Sequence, residues 1–122
     1  MAGQVPHIST QDGVTIVALG RDCESLDDHR LDELSTAIIS TADTADPPLV
    51  VLDLSHTKFF GSAFIEIMFR AWNRLGSRPG GSFAISGLTP YCSEVIATTH
   101  LDRLWPVFET QEDAVRHMLA SA

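Results

Sequence analysis

The run Leu49–Leu54, LVVLDL, is almost wholly apolar. A strand of this composition is typical of a sheet that helices cover on both faces. Shortly after it, Ser62–Leu75 carries apolar residues at helical spacing, which predicts an amphipathic helix with a wide apolar face. A buried strand that leads into such a helix is the repeating unit of an α/β fold.

Other predicted strands and helices alternate in the same way. Val14–Leu19 is rich in β-branched residues and follows the turn signal Asp12-Gly13, so we expect it to pair with His7–Thr10 as a hairpin. Apolar spacing predicts a helix over Leu26–Ile39, capped by Asp27. The remaining elements, in chain order, are a loop over Thr41–Pro48, a strand at Ser82–Ser86, a short helix capped by Thr89, an edge strand at Leu104–Phe108 and a helix that begins near Thr110.

The order of these elements predicts the fold class. Strands alternating with helices indicate an α/β fold with a mixed, mostly parallel β-sheet of about five strands and about four α-helices. The linkers are short, and 122 residues fit one domain, so we expect a single domain over residues 1–122.

Charge and composition exclude several classes of function. The formal net charge is −8, which argues against binding to nucleic acid or anionic lipid. The N-terminal residues resemble no signal peptide, and no apolar run has the length of a membrane span. The two cysteines, Cys23 and Cys92, form no CxxC motif, which suits a reducing compartment. We therefore expect a cytoplasmic protein that binds neither nucleic acid nor membrane.

The sequence favours no catalytic or metal site. Its five histidines are scattered, and no phosphate-binding loop, nucleophile elbow or dinucleotide-binding motif is present. Cys92 lies near a predicted helix start, where its pKa would be lowered, but a lone cysteine is more often a small buried side chain. We expect a protein that is not an enzyme and that holds no cofactor or metal.

The most informative segment is Phe59–Ile67, which joins the buried strand to the amphipathic helix. Ligands of parallel sheets bind beyond the carboxyl ends of the strands, where this segment lies. Phe59 and Phe60 are adjacent, so both rings are not expected to point into the core. Ser62 is placed to cap the helix, where a phosphate on its hydroxyl would also be stabilised. A simple helix start with core aromatics explains the same residues.

The sequence resembles the STAS domain family, which includes anti-sigma-factor antagonists and the cytoplasmic tails of sulphate transporters. The similarity covers nearly the whole chain, and it rests on the order and spacing of short segments. These are Leu26-Asp27 with Leu34, the run LVVLDLSHTKFF, the link Ser86–Pro90 and the closing segment LDRLWPVFETQEDAV. In the antagonists, a serine or threonine at the start of the second helix is phosphorylated by a partner kinase, which ends binding.

The chain departs from that pattern at the residue that is usually phosphorylated. The motif Asp-Ser-Ser-Gly corresponds to Gly61, Ser62, Ala63 and Phe64, so the usual acceptor position is an alanine without a hydroxyl. The resemblance therefore implies a regulatory protein-interaction module that docks near Ser62, with phosphorylation control altered or absent.

The resemblance also implies partners and contact residues. The expected partner is an anti-sigma factor with serine kinase activity, or another regulator with a histidine-kinase fold, and the chain itself is a monomer or a weak homodimer. Two alternatives stay open: an antagonist phosphorylated on Ser62, and a sensor of a small molecule or nucleotide. The residues expected to contact the partner are Asp27, Phe60, Gly61, Ser62, Ala63 and Glu66.

Overall fold

The computed structural model of the chain describes residues 6–20, 25–26 and 31–121. Its strands and helices follow the alternation that the sequence predicts. The strands are β1 (His7–Gln11), β2 (Val14–Ala18), β3 (Ser25–Leu26), β4 (Leu49–Asp53), β5 (Phe59–Phe60), β6 (Ser82–Ser86) and β7 (Val107–Phe108). The helices are α1 (Asp32–Thr44), α2 (Ser62–Gly76), α3 (Pro90–Thr98) and α4 (Gln111–Ser121), with a short 3-10 helix at Leu101–Arg103.

Five of the strands form one mixed sheet in the order β1-β2-β4-β6-β7. Strand β1 pairs with β2 antiparallel, whereas β2, β4, β6 and β7 pair with their neighbours in parallel. Every residue of the central strand β4 is buried, because helices cover both of its faces. These findings confirm the predicted α/β class, the mostly parallel sheet of five strands and the four helices.

The opening hairpin closes through the predicted turn. Asp12 and Gly13 have φ of 53° and 89°, the left-handed conformation that a two-residue turn between antiparallel strands requires at both positions. Gln11 and Val14 pair on either side of the turn. The hairpin therefore adds β1 to the sheet as an antiparallel edge strand, as the sequence predicts.

Two apolar cores lie on opposite faces of the sheet. The larger core joins the sheet to α1, α2 and α3 through Leu34, Met68 and Ile96. The smaller core joins the other face to α4 through Val115 and Met118. The helix that contains Ser62 therefore packs on one face, while α4 covers the face behind it.

Three predicted boundaries are wrong. Helix α1 begins at Asp32 with Leu31 at its N-cap, because Leu26 lies in the short strand β3 although its spacing continues the helical pattern. The helix also runs to Thr44, so the predicted loop from Thr41 begins only at Ala45; the Thr41 hydroxyl donates to the carbonyl of Ala37 at 2.8 Å. The expected strand over Leu104–Phe108 is reduced to β7, although its position at the sheet edge is confirmed.

Candidate functional site

Asp53 anchors the chain where it leaves the carboxyl end of β4. One carboxylate oxygen accepts hydrogen bonds from the Ser55 backbone N–H at 2.9 Å and from the Ser55 hydroxyl. The other oxygen accepts from the Ser86 hydroxyl on β6 at 3.0 Å. Asp53 is only 5% exposed, so these bonds replace the water that its charged group loses on burial. The segment that leads to α2 therefore starts from a fixed point.

Gly87 allows a second strand end to approach this anchor. Its φ is +73°, and a Cβ built on it would lie 2.9 Å from the Cβ of Ser55. Both the conformation and the space therefore favour a residue without a side chain. The close approach brings the connection after β6 against the connection after β4.

The carbonyl oxygen of Thr57 ties the same segment to α3. It accepts a hydrogen bond from the Thr89 hydroxyl at 2.7 Å and a longer one from the Cys92 thiol at 3.4 Å. Thr89 is also the N-cap residue of α3, as the sequence predicts. The segment before α2 and the first turn of α3 are thus held together by side-chain contacts.

Cys92 is a buried structural residue. Its side chain is fully buried, and this burial raises the pKa of the thiol, while the hydrogen bond with Thr89 lowers that pKa in part. A thiol with a raised pKa is a poor nucleophile at neutral pH. The structure therefore supports the interpretation of Cys92 as a small packed side chain and contradicts a lowered pKa.

Adjacent phenylalanines of β5 point in opposite directions. Phe60 is 2% exposed, and its ring lies 5.6 Å from that of Phe64 between centroids. Phe59 is 38% exposed and lies 5.6 Å from the ring of Tyr91 on α3, which is 49% exposed. Phe60, which the sequence places among the partner contacts, is instead buried and supports the segment from inside. Phe59 with Tyr91 forms an exposed aromatic pair.

Helix α2 begins without a side-chain cap. Its N-cap residue is Gly61, whose backbone N–H donates to the carbonyl of Leu26 at 3.0 Å. Ser62 is the first helical residue and is exposed, so the prediction that Ser62 caps the helix is wrong by one position. Helix geometry leaves the N–H groups of Ser62, Ala63 and Phe64 without an acceptor inside the helix. No acidic residue lies in this first turn.

The structure describes two of the three remaining residues expected at the site. Ala63 is half-buried and packs against the larger core. Glu66 is exposed one turn along α2, where its carboxylate contacts Arg70 at 3.1 Å. Asp27 lies outside the described residues. The structure thus brings Gly61, Ser62, Ala63 and Glu66 together at the start of one helix.

Sequence reasoning did not find Tyr91. The aromatic pair joins residues far apart in sequence, and only the fold brings them together. The sequence contains one signal for it. Tyr91 directly follows Thr89-Pro90, which open a helix, so it lies in the first helical turn, where side chains are often exposed.

The arrangement suits binding better than catalysis. The site offers an exposed hydroxyl, free backbone N–H groups and two exposed rings on a rigidly held segment. Among residues 6–20, 25–26 and 31–121, no cluster of three histidine, cysteine, aspartate or glutamate side chains has the arrangement of a metal site. In the same part of the chain, no helix is both long and apolar enough to cross a membrane.

Comparisons with known proteins agree with this fold. The family model of the STAS domain matches residues 6–114. An anti-sigma-factor antagonist (STAS) domain protein from Planctomyces limnophilus is 30% identical, with a TM-score of 0.87 over 93% of this chain and 97% of that one. An anti-sigma factor antagonist from Mycobacterium paratuberculosis is 26% identical, with a TM-score of 0.78 over 93% and 92%.

A more distant structure shares the fold alone. The Bacillus cell fate determinant SpoIIAA in its phosphorylated form is 16% identical, with a TM-score of 0.66 over 93% of this chain and 98% of that one. Among curated proteins, none matches the chain.

Proposed function

The chain belongs to the STAS domain family, and we propose that it is a regulatory protein-interaction module of the anti-sigma-factor-antagonist type. Its partner is an anti-sigma factor with serine kinase activity, or another regulator with a histidine-kinase fold. Binding occupies that partner in the cytoplasm and so regulates transcription. Relatives with at least a quarter of their residues identical are described as anti-sigma-factor antagonists, which supports this class of partner.

The observation that carries the proposal is the exposed start of α2. We define the docking surface as Phe59, Gly61, Ser62, Ala63 and Glu66. Ser62 and Glu66 are exposed on one helix, and Phe59 adds an apolar ring three residues before Ser62. An exposed aromatic side chain beside polar groups is typical of the residues that dominate protein–protein binding.

Rigidity of the supporting segment favours docking. Asp53 fixes its beginning, the Thr57 carbonyl ties its middle to α3, and Phe60 anchors its end in the core. A surface that is ordered before binding loses less conformational entropy in the complex. Affinity therefore does not depend on ordering this segment at the moment of contact.

We infer that phosphorylation at the usual position of the family does not control binding by this chain. Ala63 occupies the acceptor position of the family motif, and its methyl group packs against the core. The partner is therefore bound without the phosphorylation at this residue that ends binding in other antagonists. Release then depends on the partner or on another residue of this chain.

Ser62 supports a second candidate, an antagonist that is phosphorylated one position earlier. Because Gly61 is the N-cap, the Ser62 hydroxyl has no capping role and is exposed to a kinase. A phosphate there would accept hydrogen bonds from free N–H groups and would meet no carboxylate in the first turn. About two added negative charges in a packed interface would then oppose binding.

Affinity capture from the lysate of the source organism tests the docking surface. We expect the wild-type chain to recover a kinase-like regulator, and Glu66→Lys to lose it. Glu112→Lys is the matched control, because it reverses an exposed charge on α4, which packs on the opposite face of the sheet. Equal recovery by both charge-reversed variants would show that the docking surface is wrong.

Mass spectrometry separates the two candidates. The captured regulator, purified and incubated with ATP and the chain, phosphorylates Ser62 if the second candidate is correct, and Ser62→Ala abolishes the modification. The first candidate predicts no phosphate on α2 in this reaction or in protein isolated from growing and stressed cells.

A further inference from the structure

Strand β1 lies at one edge of the five-stranded sheet. It is an outer strand, and no other described strand pairs with its far side. His7 through Thr10 are exposed, and the strand sequence HISTQ contains no lysine, acidic residue or proline. Natural edge strands usually carry such residues or a bulge, which prevent pairing with another chain. The absence of these features in β1 makes it competent to pair.

The hairpin decides which backbone groups face outward. Gln11 and Val14 flank the two-residue turn, so they exchange both of their backbone hydrogen bonds. Hydrogen-bonded and non-hydrogen-bonded pairs alternate along an antiparallel ladder. Ile8 and Thr10 therefore fall at non-hydrogen-bonded positions opposite β2, and their N–H and C=O groups point away from the sheet.

We propose that two copies of this chain associate through antiparallel pairing of their β1 strands, about a twofold axis at Ser9. In this register, Ile8 of one copy lies opposite Thr10 of the other, and each pair exchanges both backbone hydrogen bonds. The interface contains about four such bonds and is self-complementary, as a twofold contact requires. It joins two five-stranded sheets into one continuous sheet.

Side chains on the face of the sheet that α1 covers fit this register. Ile8 pairs with the buried Val17 on β2, which places it on the face that α1 covers. It is 45% exposed and borders an open groove of about 540 Å³ that α1 lines with Thr36 and Ala37. Pairing places Thr10 of the second copy beside Ile8 and covers this exposed apolar side chain.

The residues of the two β1 strands carry no charges that oppose the pairing, whereas charges on α1 and over the whole chain weaken it. On the other face, His7 lies opposite Gln11, and Ser9 lies opposite its own symmetry mate, so the paired strands bring no like charges together. Asp32 and Glu33 of α1 line the groove beside Ile8, so the two copies also bring carboxylates near each other at this edge. The net charge of −8 on each copy repels the other copy over longer distances. Association is therefore weak and is strengthened by salt, as a single strand pair in the small interface class predicts.

Disulfide trapping tests the register directly. In a Cys23→Ser background, Ser9→Cys places two thiols at a non-hydrogen-bonded pair with about 4.5 Å between Cα atoms, within the range for a disulfide. Gln11→Cys is the matched control on the same face, because the two copies of that residue lie about 14 Å apart along the paired strands. We expect at least about tenfold more reducible dimer from Ser9→Cys. Equal trapping by both variants overturns the proposal.

Sedimentation equilibrium tests the association without crosslinks. The apparent mass of the wild-type chain should rise from 13.3 kDa toward twice that value with concentration. Ile8→Lys and Thr10→Pro should both prevent the rise, since the Thr10 N–H takes no part in the β1–β2 ladder. Leu119→Lys is the control, because Leu119 is 43% exposed on α4, and this variant should still show the rise in apparent mass. A wild-type chain that stays monomeric up to about 1 mM overturns the proposal, as does a dimer that only Leu119→Lys disrupts.

Discussion

The hydroxyl of Thr89 donates a hydrogen bond of 2.7 Å to the carbonyl oxygen of Thr57, across a sequence separation of 32 residues. This bond joins the segment before α2 to the first turn of α3. Because both elements share it, the exposed rings of Phe59 and Tyr91 are held as one surface at 5.6 Å between centroids. The start of α2 is therefore supported by contacts from outside its own helix.

Thr89→Val tests this bond, because valine keeps the shape of threonine and removes the donor. We expect the free energy of unfolding, measured by urea denaturation, to fall by about 1 kcal/mol. Thr44→Val is the matched control, since the exposed Thr44 hydroxyl bonds only within its own helix, to the carbonyl of Ser40. Its effect should stay within about 0.5 kcal/mol. Equal losses in the two variants would contradict the role given to Thr89.

Asp53→Asn tests the anchor at the end of β4. An amide has one acceptor oxygen where the carboxylate has two. Its NH₂ group would therefore face either the Ser55 N–H, which can only donate, or the Ser86 hydroxyl, which would have to turn and give up its present hydrogen bond. We expect a loss of about 2 kcal/mol in the free energy of unfolding. Asp43→Asn removes only an exposed ion pair with Arg74 and should cost less than about 1 kcal/mol. If Asp53→Asn and Asp43→Asn lower the free energy of unfolding by the same amount, Asp53 is not an anchor.

Gly87→Ala tests the close approach of the two strand ends. The added methyl group would lie 2.9 Å from the Cβ of Ser55, on a residue with φ of +73°. We expect a loss of about 1–3 kcal/mol in thermal or urea unfolding. Gly76→Ala, in a helix with no atom within 4 Å of the new Cβ, should be neutral or stabilise by up to about 1 kcal/mol. Gly87→Ala with unchanged stability would contradict the packing described here.

Cys92 should be unreactive while the protein is folded. In a Cys23→Ser background, we expect Ellman's reagent to modify the Cys92 thiol at least about 100-fold faster after unfolding in urea, because reaction requires opening of the core. The pKa of the Cys92 thiol is raised in the folded state. The contribution of this thiol to the free energy of unfolding is therefore complete below the unfolded pKa of about 8.5, and it is lost as the pH rises above that value. Cys92→Ala should lack this loss. Fast modification of the folded protein would contradict the burial of Cys92.

Strongly patterned elements could be predicted from the sequence. The continuous apolar run at β4 and the wide apolar face of α2 each have one simple interpretation, and the structure confirms both. The start of α1 was not predictable in the same way, because Leu26 fits the helical spacing but lies in β3. A two-residue strand carries too little pattern to compete with a helix in the sequence.

The sequence predicts where the candidate site lies, but not which residue caps α2 or which side chains meet there. Serine is a preferred N-cap residue, which made Ser62 the natural choice. The structure assigns the cap to Gly61 instead, because its N–H bonds to Leu26 and its backbone is extended, at φ −106° and ψ −170°. That pairing and the contact between Phe59 and Tyr91 depend on residues far apart in sequence, so no local pattern reveals them.

Calorimetric titration of the purified partner with Ser62→Glu measures whether the start of α2 lies in the interface. The matched control is Gln111→Glu, which adds the same charge at the first residue of α4, on the opposite face of the sheet. If the partner docks at the start of α2, Ser62→Glu raises the Kd at least about tenfold, or 1.4 kcal/mol, while Gln111→Glu binds like the wild type. A Kd for Ser62→Glu equal to that of the wild type would contradict docking at the start of α2.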